Sequence, residues 1–350
     1  MVEIINIICF NIASMKKTIF LFEAIVNSII IAFFLLIYFT AGYIEGDSLF
    51  ININNFLYKW YWCFAGGIIL LLIADFIYTI CCYYHGRESF VIKVCDKIFK
   101  FGFLFRQLVA RDFKAKYKRS VLGILWSFLN PLLTMGIQYF IFSTLFGNQS
   151  IDNYPVYLLI GVIMFSLTNE ACTSSVTAIT GNAHLINKVY VPKFIYTLSR
   201  ITSALINFLL SMIPLFIIMS ITGIVPHFTQ LTIVVDIVLL VIFLFGFSLI
   251  LSSLNVFFRD VQFLWGIFCM LWMYGTPIFY DSSLISNEIV KNILSFNPLY
   301  HYLTFARCAL KDCVGPNLTT VLICLGFSLG FMGLGYLIYQ KTKDKFILYI

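Results

Sequence analysis

The chain has 350 residues, of which 61% are hydrophobic and 11% charged; its 23 Lys and Arg outnumber 16 Asp and Glu, for a formal charge of +7. A soluble domain carries about a quarter charged residues and about half apolar ones, so an ordinary soluble enzyme or nucleic-acid-binding domain is excluded. The apolar runs are long and unbroken rather than alternating. In lipid every backbone polar group must be satisfied within the protein, so runs of this kind specify membrane-spanning helices and not a β-barrel.

In chain order, spans are expected over residues 18–41, 62–84, 121–147, 154–178, 195–222, 231–255, 262–280 and 318–340. The first run follows Lys16 and Lys17, is too long for a signal peptide and lacks a small-residue cleavage site. The first two spans read as a hairpin with a loop over 42–61. A linker follows, and composition turns from apolar to cationic near residue 95, where a domain boundary is expected.

Phe101 to Gly147 is the stretch around which the rest is organised. Phe101, Leu104, Phe105, Leu108, Val109, Phe113 and Tyr117 recur at helical spacing as an apolar stripe, with Arg106, Arg111, Lys114, Lys118 and Arg119 mainly on the other side. Such a helix lies in a membrane surface with its cations toward anionic headgroups. No charged residue follows between Val121 and Gly147, so the surface helix turns into a span. A push on the basic segment moves that span.

The loop Gly181 to Phe194 contains Pro192, which disfavours helix at Val191. A short helix and a break before the next span are therefore expected there. After Thr276-Pro277 come two short apolar pieces split by Asn297-Pro298, each too short to span; they read as a re-entrant pair. Asp75, Glu170 and Asp236 lie within spans, where a carboxylate is a functional candidate by default and a packing residue otherwise.

Lys and Arg concentrate in alternate loops, around 16–17, 87–119, 188–200, 259 and 341–345. By the positive-inside rule both termini are cytoplasmic, and the basic balance needs no nucleic-acid partner. The ten cysteines are scattered without metal-ligand spacing, and Cys308 and Cys313 read as free thiols. There is no GxxxxGK[ST] phosphate loop, no HExxH and no GxSxG. No catalytic residue, metal or cofactor is assigned, and any ATP hydrolysis belongs to another chain.

RDFKAKYKRSVLGILWSFLNPLLTM (Arg111 to Met135) resembles the start of ABC-2 type permeases that export polysaccharides: the membrane subunits of O-antigen, capsule and teichoic-acid exporters. YGTPIFY and LSFNPLYHYLTFAR, between Tyr274 and Arg307, resemble the region before the same family's last span. The resemblance covers about residues 97–350. It implies an all-α integral membrane protein of the bacterial cytoplasmic membrane: a six-span core with an interface helix and re-entrant outer helices, here preceded by an extra two-span hairpin. Residues 1–95 would be that extension and 96–350 the permease domain.

It also implies two permease copies, two separate ATPase subunits, and a glycan on undecaprenyl diphosphate as cargo. Asn187, Lys188, Tyr190, Pro192 and Lys193 fall where the family has its coupling helix to the ATPase. The third and seventh spans fall at the dimer centre. There Tyr139, Phe142 and Phe146 share a helix face by three- and four-residue steps, and are expected to face Trp272 and Tyr280 across the substrate route. Two alternatives stay open: an ABC-2 exporter of a drug, peptide or simple lipid, and an integral-membrane glycosyltransferase.

Overall fold

A computed structural model describes residues 101–118, 122–146, 151–186, 191–225, 227–281 and 287–349. The chain divides into two units, Met1–Phe103 and Leu104–Ile350, and the account below is of the second. The expected spans 18–41 and 62–84, and Asp75, lie outside the described residues.

All regular elements among the described residues are helical: α1 (Gly102–Tyr117), α2 (Trp126–Phe146), α3 (Tyr154–Val176), α4 (Ala183–Ile186), α5 (Phe194–Ile221), α6 (Ile233–Phe257), α7 (Val261–Gly275), α8 (Glu288–Ser295), α9 (Pro298–Leu310), α10 (Leu318–Thr342) and α11 (Phe346–Tyr349). Among the described residues five segments are long and apolar enough to cross a membrane: Gly123–Thr144, Tyr154–Val176, Phe194–Ile221, Phe228–Phe257 and Leu318–Thr342.

The expected span 262–280 is shorter than the sequence reading has it. Its helix stops at Gly275, and Thr276 is extended at φ −104°, ψ 136°. Pro277 disfavours helical backbone at the residue before it, while Ile278, Phe279 and Tyr280 carry the apolar composition past the true end. Fifteen residues make a helix of about 22 Å, against a hydrocarbon core of about 30 Å.

The third helix is the centre of the bundle. It starts at Asn153, which takes the left-handed conformation at φ 54°, with Pro155 in its first turn. Most of α3 is buried, and it packs against α2, α5, α6, α7 and α9. Val156, Leu159, Ile160 and Ile163 join Leu240, Phe243, Leu299, Tyr302 and Phe305 in one core. By contrast, α2 and α10 bury only a small part of their length. Phe263, Leu264, Ile267 and Leu271 of α7 are all exposed, while Trp265, Cys269 and Trp272 of the same helix point into the bundle.

The closest helix pairing is α6 with α10. Gly246 and Gly335 meet backbone to backbone at that crossing, as small residues do where membrane helices approach closely. Phe331 packs edge-on against Phe243 at 5.0 Å and Phe247 at 5.6 Å on the same seam. Asp236, in the first turn of α6, is fully buried, and among the described residues neither carboxylate oxygen has a hydrogen-bond partner.

The Asn-Pro break separates α8 from α9 as the sequence implies. Asn297 caps α9 by accepting from the Leu299 N–H at 3.1 Å. It also accepts from the Trp272 indole at 2.8 Å and donates to Thr276 Oγ1 at 2.8 Å, so one side chain joins the end of α7 to the start of α9. Cys308 and Cys313 are free thiols.

Candidate functional site

The basic helix α1 meets the bundle through a face the apolar stripe does not describe. Leu108 is its buried residue; Arg111, Asp112 and Lys116 follow at three-, four- and eight-residue steps from it. Arg111 Nη1 donates to Asn182 Oδ1 at 3.0 Å, just before α4. Asp112, whose side chain is nearly buried, accepts from Arg200 of α5 at 3.1 Å and from Arg111 at 3.1 Å. Lys116 pairs with Glu170 of α3 at 2.8 Å, and the same carboxylate oxygen accepts from Asn207 of α5 at 2.6 Å.

Tyr117 donates to Asn207 Oδ1 at 2.9 Å and is hydrogen-bonded to the Ser127 hydroxyl of α2. These groups line one side of a cavity of about 160 Å³ among α1, α2, α3 and α5. Hydrogen bonds with an ionised partner are stronger than neutral ones, so α1 is pinned to three helices by directional contacts rather than resting on them by apolar area alone.

Of the expected headgroup-facing cations, Arg106, Lys114 and Lys118 are exposed, Arg111 is drawn into the bundle contact, and Arg119 lies outside the described residues. Lys114 and Lys118 rim an open groove of about 910 Å³ floored by Leu122, Ile124 and Leu125.

Asn187, Lys188 and Tyr190 lie outside the described residues. Pro192 and Lys193 are described, at the root of the loop. The Lys193 ammonium donates to the Lys343 carbonyl and sits 5.2 Å over the Phe346 ring. Burial lowers its pKa from the ordinary lysine value. The Phe194 N–H reaches the Tyr339 hydroxyl at 3.3 Å. The loop's return to α5 is therefore braced by the end of α10 and by α11, a contact that sequence spacing does not reveal.

At the far end of the bundle, Tyr139 packs against Tyr154 at 5.9 Å and Phe142 stacks on Phe279 at 4.8 Å. Phe146 is the last residue of α2. Tyr280 is half-buried and its hydroxyl donates to the Tyr274 carbonyl at 3.2 Å. Trp272 differs from expectation: it is buried in the core with its N–H held by Asn297, instead of standing on an open face opposite α2. The structure thus brings Tyr139 and Phe142 together with Tyr154 and Phe279, residues the sequence does not mark. Among the described residues no cluster of His, Cys, Asp or Glu is arranged to hold a metal.

An all-helical membrane bundle, with a surface helix pinned by ion pairs at one end and aromatic rings gathered at the other, has the build of a membrane permease. The ABC-2 type transporter family matches residues 103–310, and the chain belongs to that family. It is 33% identical over 253 residues to the O-antigen export system permease protein RfbA of Klebsiella pneumoniae, covering 71% of this chain and 96% of the relative. It is 26% identical to the RfbA protein of Myxococcus xanthus, over 73% of this chain and 98% of the relative. The polysialic acid transport protein KpsM of Escherichia coli is also 26% identical, over 69% of this chain and 93% of the relative.

Proposed function

We propose that the chain is the membrane permease subunit of an ABC transporter that exports a lipid-linked polysaccharide, a glycan on undecaprenyl diphosphate, across the cytoplasmic membrane. The observation that carries this reading is the likeness to RfbA over 96% of the length of the Klebsiella relative. The chain has no phosphate-binding loop of its own, so a separate nucleotide-binding subunit drives it, and two copies of each form the transporter. The exposed apolar faces of α2 and α7 are the surfaces that a second copy and lipid would cover.

In this reading α1 is the interface helix, residues 187–193 are the coupling segment, and residues 1–95 are a peripheral extension. The cationic end, with α1, Lys193 and the end of α10, faces the cytoplasm by the positive-inside rule. Accessibility labelling then finds residues 185–193 inside and 46–58 and 282–292 outside; an outside label on 185–193 would overturn the topology.

The glycan is too polar to cross hydrocarbon unaided and runs beside α2, past Tyr139 and Phe142. Aromatic rings offer apolar faces that sugars slide across without a fixed hydrogen-bond register. Cells lacking the chain should retain the polysaccharide inside as its lipid-linked form. Replacing Tyr139 and Phe142 together by Ala should slow surface appearance of the glycan about tenfold while ATP hydrolysis falls less, because the motor is untouched. Export at the parental rate with normal protein levels would make these rings packing residues.

A further inference from the structure

Between α7 and α8 the backbone leaves helical geometry from Thr276 to Asp281. Four consecutive carbonyls in this segment point at side chains of α3 and α9. Arg307 of α9 donates from Nη1 to Pro277 O at 2.7 Å and from Nη2 to Ile278 O at 3.2 Å. Tyr154 donates to Phe279 O at 2.7 Å. The Tyr157 hydroxyl lies 2.8 Å from Tyr280 O and 3.3 Å from Pro277 O. The guanidinium also lies 3.5 Å over the Tyr157 ring.

This contact depends on Gly161 of α3, where a Cβ would come within 2.9 Å of Ile278 Cγ2 and 3.2 Å of Arg307 Nη2. Irregular backbone at membrane depth must have its carbonyls satisfied. Here three side chains do so, one of them a buried cation that forms no ion pair among the described residues. The Asp281 and Asp312 carboxylates act on it only from beyond ion-pair distance, so its burial is costly, and a Gln or a second Tyr could satisfy carbonyls more cheaply. What Arg adds is a planar fork that spans two successive carbonyls and can present the same donors to other oxygen atoms.

The other side of this segment meets α2, through the Phe142–Phe279 stack. We infer that Thr276–Asp281 is a strap that closes the far end of the export route, and that Arg307 is the positioning residue that latches it through Pro277 and Ile278. This rests on the reading of the chain as an export permease whose route ends at this side of the bundle. The strap opens when Arg307, Tyr154 and Tyr157 give up the carbonyls together. The hydroxyl oxygens of an arriving glycan accept hydrogen bonds from the same donors, so passage of cargo offsets the loss, whereas an empty transporter stays shut.

The test uses the full chain with its nucleotide-binding subunit in liposomes, without ATP, and measures potassium efflux. Arg307→Gln removes the fork and should raise efflux about tenfold; Tyr157→Phe keeps the ring under the guanidinium, loses one hydroxyl, and should raise it about threefold. Arg307→Lys, which keeps the charge without the fork, should leak more than the parent and less than Arg307→Gln.

A purely structural role would lower the melting temperature without opening a path for ions. A folded Arg307→Gln as tight as the parent overturns the inference. If Arg307→Gln does not fold, a tight Tyr157→Phe does so instead. The Tyr139 and Phe142 double replacement reads the aromatic route separately: normal export there, with leaky Arg307 variants, removes that route and leaves the strap.

Discussion

Gly335→Val should yield almost no folded protein, whereas Gly330→Ala and Gly333→Ala should behave as the parent does. At Gly335 an added Cβ overlaps the carbonyl of Gly246, and at Gly246 it overlaps the Phe331–Met332 peptide. The obstacle in both directions is backbone, which has no rotamer to escape into, so α6 and α10 must move apart. Separation opens the seam of Phe243, Phe247 and Phe331, whose rings meet at 5.0 and 5.6 Å. It also pulls Ser328 from the Leu239 carbonyl it reaches at 2.7 Å.

Overpacking a core costs about 1–3 kcal/mol when side chains can adjust, and rigid backbone on both sides puts the cost at about 3 kcal/mol or more. At Gly330 and Gly333 nothing lies within 4 Å of an added Cβ, so Ala there is neutral to mildly favourable through helix propensity. Size-exclusion profiles and melting temperatures in detergent decide the matter. A monodisperse Gly335→Val within a few degrees of the parent would show that the seam repacks.

None of those glycines is distinguishable in the sequence LGFSLGFMGLGY. All sit in one helix and none has a positive φ there. What singles out Gly335 is the partner helix, about ninety residues away, and one chain holds no trace of which helix that is. Three of the long spans were legible because hydropathy over about 20 residues is set by the solvent, not by a partner. Residues 154–178, 195–222 and 318–340 become helices at Tyr154–Val176, Phe194–Ile221 and Leu318–Thr342. Pro298 after Asn297 gave the α8–α9 break for a local reason, the missing N–H and the Asn cap.

The functional contacts were less legible, and for two different physical reasons. On α1 the hydrophobic periodicity predicts an apolar packing face, yet Leu108 is accompanied by Arg111, Asp112 and Lys116. Periodicity of hydrophobicity is silent about a face that packs through ion pairs. A sharper signal was present in the other half of each pair: Glu170 inside a span requires a cation, and Lys116 is the one that reaches it. At the strap the acceptors are backbone carbonyls, which every residue has, so Tyr154, Tyr157 and Arg307 had no complementary residue type to point to them. The resemblance places the span that carries Trp272 at the dimer centre but does not say on which side of α7 the indole falls; its N–H bond to Asn297 puts it inside.

Asp112→Ala should uncouple the permease from its motor, and exchanging the charges with Arg200 should recover part of the loss. Asp112 is the nearly buried member of a cluster in which Arg200 and Arg111 each approach one oxygen at 3.1 Å. Removing it leaves Arg200 facing Arg111 with its Nε already without a partner. Breaking a fully buried pair costs about 3–5 kcal/mol. Arg200 keeps 24% of its side chain exposed, and solvent screening brings the expected cost to about 2 kcal/mol.

That energy is lost at the joint between α1 and α5, so in the proposed reading of α1 as the interface helix it slips instead of passing on the motor's push. Export should fall at least tenfold by the usual conversion of about 1.4 kcal/mol per decade, while basal ATP hydrolysis by the assembled transporter changes little. Asp112→Arg alone should be worse than Asp112→Ala, since three guanidinium groups would then crowd one site. Asp112→Arg combined with Arg200→Asp restores one pair in the opposite sense and should export faster than either single variant, the signature of direct coupling in a double-mutant cycle. Losses that simply add, with no recovery in the exchange, would mean that α1 transmits motion through Lys116 and Tyr117 and that the Asp112–Arg200 pair is incidental to it.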